Sequence, residues 1–183
     1  MSTPAMAVSR FDDHDYSYWM YVVISEFLQD YGPLEDFIQL VSNFGRVVND
    51  KACVVIPFQF AYRDTRTYVL NRPWKSPIAD ELQDTLHPFI LILRTSLPKF
   101  DAEKHEFIIL KFPEALAYSE KYVALFSEIA DEILGDRDLF EWKHTEHRKE
   151  LAGKILNRVT ESISMKPGIL GFSIDIKKLL TGT

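Results

Sequence analysis

The chain has 183 residues, 46% of them hydrophobic and 26% charged, which excludes a mainly disordered state and allows one domain with a sizeable core. Its net charge of −6 argues against nucleic-acid binding over the whole surface, and a single cysteine, Cys53, excludes an internal disulfide or a cysteine zinc cluster. The start of the chain lacks the basic run and long apolar core of a secretory signal, and the longest apolar stretch, Tyr16 to Ile24, is too short to span a bilayer, so a cytoplasmic protein without membrane contact is expected.

Residues 1–15 read as a flexible acidic leader closed by Asp12-Asp13-His14-Asp15, and residues 16–183 as a single α/β domain. A helix is expected from Tyr16 to about Tyr31, because Trp19, Met20, Val22, Val23, Ile24, Phe27 and Leu28 make it apolar almost all round. Such a helix is buried in a core or in a subunit seam. With tyrosine and tryptophan as frequent interface anchors, Tyr16, Trp19, Met20 and Phe27 are the candidate docking residues, for a partner protein or a second copy.

Gly32-Pro33 breaks that segment, and Pro33 opens a second helix in which Leu34, Phe37, Ile38, Val41, Phe44 and Val48 recur at helical spacing. Asn49-Asp50 ends it. Ala52 to Ile56 reads as a strand, Pro57 closes or bends it, and the alternation of Phe58, Phe60 and Tyr62 predicts that extended structure resumes, with Thr67 to Leu70 as a hairpin arm. Ser76-Pro77 starts a helix that stops before Pro88. Phe89–Leu93 and Phe107–Leu110 are short continuous apolar runs, expected as neighbouring strands buried on both faces and paired antiparallel across a long connection.

Pro113 opens a helix to about Leu134 with Tyr118, Tyr122, Leu125, Phe126, Ile129 and Ile133 on its apolar face and Gly135 as its cap. A further helix is expected from Asp138 or Lys143 to Ser162, with Leu151, Ile155, Val159 and Ile163 in its stripe. A half-buried strand then runs through Leu170, Phe172, Ile174 and Ile176. The fold class is α+β or α/β, a four- to five-stranded mixed sheet packed with about five helices.

Charge is uneven along the chain. Lys143 to Thr183 holds eight Lys/Arg against four Asp/Glu, a balance of +4 that leaves −10 on the remainder. A solvated helix face explains the basic segment, and docking on a complementary subunit is its functional alternative.

The candidate ligand segment is Tyr62 to Lys75. Arg63, Arg66, Arg72 and Lys75 stand there among Tyr62, Tyr68 and Trp74, a mixture of multidentate anion donors and stacking faces suited to a phosphorylated ligand. A solvated hairpin tip, its arginines paired with acids such as Asp64, accounts for the same residues, since no phosphate-cradling glycine run accompanies them. Glu141, His144, His147 and Glu150 have spacing compatible with a metal, but the HExxH arrangement is absent, and an exposed basic helix explains them. Asp12 to Asp15 reads as an acidic patch, His87 as a helix end, His105 as a surface histidine and Cys53 as a small buried hydrophobe. No metal or cofactor is implied.

Two resemblances add to this reading. Arg137-Asp138 followed by His144, with six residues between arginine and histidine, resembles the R-x(4–6)-H signature of HEPN-type ribonucleases, which implies a helical bundle with Arg137 and His144 as metal-independent catalytic residues. The order of a helix, Val54-Val-Ile-Pro-Phe58, Ile108-Ile-Leu-Lys-Phe-Pro-Glu-Ala-Leu116 and a terminal strand is similar to that of cyclic-dinucleotide-binding STING domains, which implies nucleotide sensing. The expected function is a non-enzymatic interaction subunit or adaptor in a larger complex. A phosphorylated-ligand sensor is the alternative, and a HEPN-like ribonuclease the second alternative.

Overall fold

A computed structural model describes residues 15–24, 31–56, 69–70, 82, 88–112, 120–143, 163–164 and 171–175. In chain order the elements are β1 (Tyr18–Val23), α1 (Tyr31–Val47), β2 (Ala52–Val55), β3 (Phe89–Leu93), β4 (Phe107–Lys111), α2 (Glu120–Leu134), β5 (Ile163–Ser164) and β6 (Gly171–Asp175), with short 3-10 turns at Leu97–Lys99 and Leu139–Lys143. The strands form one mixed sheet of six in the order β2-β1-β3-β4-β6-β5. The mixed sheet with helices is as expected. It has six strands rather than four or five, and two α-helices stand among the described residues against about five expected.

The segment expected as the first helix is instead an interior strand. β1 pairs parallel with β2 (Tyr18 with Ala52) and antiparallel with β3 (Trp19 with Leu93). All six of its residues are buried. Tyr18, Met20 and Val22 point to the helices, while Trp19, Tyr21 and Val23 point to the opposite face. A strand covered on both faces has no alternation to display, so its apolar run has the composition of a buried helix. The aromatic and β-branched content of Tyr-Trp-Met-Tyr-Val-Val favours the strand. Trp19 and Met20, expected at a docking seam, are therefore inside the chain's own core.

The two central apolar runs pair as expected, antiparallel from Phe89 opposite Lys111 to Leu93 opposite Phe107, and the Phe112 N–H donates to the Pro88 carbonyl at 2.9 Å to extend the ladder. β4 then pairs parallel with β6, and β5 antiparallel with β6. Ile163, expected at the end of a helical stripe, lies in β5, and its backbone pairs with that of Ile174.

Both helices cover one face of the sheet. On α1, Leu34, Phe37, Val41 and Phe44 recur every three or four residues and meet Met20, Val22, Ile90, Ile92, Ile108 and Leu110. Gly45 lets α1 approach β2, since an added Cβ would come within 3.3 Å of the Val54 Cβ. α2 contributes Tyr122, Leu125, Phe126, Ile129 and Ile133. Phe112 joins the two helices, with its ring 4.9 Å from Phe37 and 6.1 Å from Phe126. The second face buries Val69, Leu82, Leu97 and Phe100 over Trp19, Tyr21, Phe89, Leu91 and Ile109. Among the described residues no helix is long and apolar enough to cross a membrane.

Candidate functional site

The pairing directions divide the sheet into two unlike edges. β1, β2, β4 and β6 all run the same way, so Val23, Val55, Lys111 and Asp175 end four strands at one carboxyl edge, with Phe89 beginning β3 between them. At the opposite, amino edge lie Tyr18, Ala52, Leu93, Phe107 and Gly171.

The amino edge is closed by a polar clasp built on the end of α2. There the Arg137 N–H donates to the Glu132 carbonyl at 2.9 Å and the Asp136 N–H to the Ile133 carbonyl at 3.3 Å, the bond pattern of a Schellman stop. The left-handed residue is Asp136, at φ 57°, one position after the expected glycine cap. Aspartate tolerates that region better than most residues because its short side chain bonds locally. Its carboxylate meets the Lys51 ammonium, which also donates to the Leu134 carbonyl at 3.2 Å.

Arg94, just past β3, donates to the Asp138 carboxylate, lies 3.7 Å from Glu106 and places its guanidinium carbon 4.4 Å from the centre of the Phe140 ring. The Tyr18 hydroxyl donates to the Arg137 carbonyl at 3.3 Å and accepts the Leu139 N–H at 3.1 Å, while its ring stacks on Phe140. Burial raises the Tyr18 phenol above its ordinary pKa, so it stays neutral and keeps both bonds. Every charge named here has an opposite partner, so the clasp fixes the geometry of the edge rather than presenting a base or nucleophile.

Arg137, a candidate catalytic residue of the HEPN resemblance, donates from Nε to Glu132 at 2.8 Å in this clasp. His144 lies outside the described residues. The six-stranded sheet differs from the helical bundle that the HEPN resemblance implies. Tyr16 is half-buried, with its ring edge-on to Trp19 at 5.5 Å, and Phe27 lies outside the described residues.

Arg63, Arg66, Arg72, Trp74 and Lys75 also lie outside them. Their described surroundings are informative. The chain leaves β2 at the carboxyl edge and next reaches Val69–Leu70, which is helical, with Val69 buried in the second face of the core. The expected hairpin arm Thr67 to Leu70 is thus replaced by helix at its last two positions.

Sequence reasoning missed the clasp. Arg94 and Asp138 are 44 positions apart, and Tyr18 and Leu139 are 121 apart, so no local spacing joins them. The available signal was a charge placed directly after a strand or a helix: Arg94 after β3, and Asp136 to Asp138 after Gly135. Among the described residues no group of three or more His, Cys, Asp and Glu is arranged to hold a metal ion. No family model matches the chain, and no curated protein or solved structure matches it either.

Proposed function

We propose that the chain is a ligand-binding domain that takes a phosphorylated small molecule at the carboxyl edge of its sheet. The observation that supports this reading is the shared direction of β1, β2, β4 and β6, which gathers four strand ends at one edge. Ligands of open sheets settle beyond the carboxyl ends of strands, near the point where the chain turns from one side of the sheet to the other. Here β1 leads outward to β2 and β4 leads outward to β6, on opposite sides of β3. In sequence, Arg63, Arg66, Arg72, Trp74 and Lys75 follow β2, which ends at that edge, in the connection to β3. Its arginines supply forked donors for phosphate and Trp74 a stacking face.

ATP and a cyclic dinucleotide are the probes, and the readout is thermal stabilisation of the full chain. A ligand at about 100 times its Kd adds about 2.7 kcal/mol, enough to raise Tm by several degrees. Arg66→Ala and Arg72→Ala are expected to abolish the shift while leaving the unliganded Tm in place. Absence of a shift with either probe overturns the reading.

A docking subunit is the second reading. It is favoured by the exposed acids Glu35 and Asp36 on α1 and Asp131 on α2, which suit a basic partner. A native mass equal to one chain, with no partner retained on purification, counts against it.

A further inference from the structure

We propose that His105 is an acid-responsive latch on the connection between β3 and β4, closed by the neutral imidazole and released by its protonation. The backbone N–H of Asp101 donates to His105 Nδ1 at 2.9 Å. A backbone N–H can only donate, so Nδ1 carries a lone pair and the ring proton sits on Nε2. In return the His105 N–H donates to the Asp101 carbonyl at 2.8 Å. Ring and backbone therefore grip the same residue and close the turn between them.

The latch sits against the second face of the core. The Phe100 ring lies 5.8 Å from the imidazole and 6.3 Å from the Phe107 ring, and Phe100 is buried with Leu97 and Ile109. A proton on Nδ1 would set two donors face to face, so the ring must leave the Asp101 N–H and uncover one side of Phe100.

Among the described residues, the turn and its flanks carry the charges of Asp101, Glu103, Lys104 and Glu106. The Asp101 carboxylate is the natural attraction for an imidazolium. It already lies 3.0 Å from the Lys104 ammonium and accepts the Glu103 N–H at 3.0 Å. A ring drawn to that exposed carboxylate gains a screened surface pair of small worth. Reaching it still requires giving up the backbone bond, so either fate of the protonated ring opens the latch.

Nitrogen NMR and amide exchange on the full chain test this. At about pH 8 the ring nitrogen shifts should place the proton on Nε2, and the Asp101 amide should be protected. At about pH 5 its protection factor, corrected for intrinsic exchange, should fall about tenfold or more. In His105→Asn the side-chain carbonyl offers an acceptor near the position of Nδ1 but does not titrate, so the fall should vanish. The proposal is overturned by a proton on Nδ1 at the higher pH, by protection that does not change with pH in the wild type, or by an equal fall in His105→Asn. The ring nitrogen shifts decide it even where the variant loses the turn.

Discussion

The Tyr18 hydroxyl accepts the backbone N–H of Leu139 at 3.1 Å, tying the first residue of β1 to the turn after α2 across 121 positions of chain. Removing that oxygen leaves a buried N–H without its acceptor and the Arg137 carbonyl without its donor. Tyr18→Phe should therefore lower unfolding free energy by about 1–3 kcal/mol, measured by urea denaturation. An unchanged midpoint would mean the clasp does not hold the edge.

Tyr18 and Tyr122 both carry phenols raised by burial. An acid whose folded pKa lies above its unfolded value keeps its proton longer in the native state. Its stabilising contribution is complete below the unfolded pKa, near 10, and is lost as pH rises through the folded value. Alkaline titration of stability should show a loss beginning near pH ~10, and Tyr18→Phe should make that loss shallower. A loss of equal slope in the variant would remove Tyr18 from the account.

At the helix stop, conformation should matter more than charge. Asp136→Asn keeps a residue suited to positive φ and removes only an exposed ion pair, so its cost should be below about 1 kcal/mol. Gly135→Ala brings a Cβ to 2.9 Å from the Asp131 carbonyl, closer than such atoms tolerate, and should cost more than Asp136→Asn. Thermal unfolding of both variants gives the order; the reverse order contradicts the assignment.

Among the described residues the buried Ser96 hydroxyl has no hydrogen-bond partner. Ser96→Ala removes a desolvated polar atom and loses no bond, so the variant should be as stable as the wild type or slightly more so. A loss greater than about 1 kcal/mol would reveal a bond through water at that oxygen.

The fate of Trp19→Asp separates a core strand from a docking face. Trp19 is 3% exposed and packs beneath the sheet with Tyr21 and Leu93. A charge there should unfold the chain rather than release a partner from an intact fold. Circular dichroism with size-exclusion chromatography distinguishes the two outcomes.

These residues also explain what could be read from the chain. Phe89–Leu93 and Phe107–Leu110 were legible because each run has strand length, clear boundaries and no helical spacing. The apolar faces of α1 and α2 were legible because one side of each helix meets the sheet and the other meets water. β1 was not, because burial on both faces erases the alternation that identifies a strand. The clasp was hidden for another reason: Tyr18, Arg94 and Asp138 become neighbours only once β1 and β3 pair and α2 returns along the sheet.

The placement of the ligand is tested most directly by amide NMR of the full chain on addition of ATP. The account predicts resonance shifts concentrated at the carboxyl edge, at Val23, Val55, Phe89 and Lys111, with little change at Tyr18, Arg94 and Leu139. Shifts centred on the amino edge, or a spectrum that ATP leaves untouched, would contradict it.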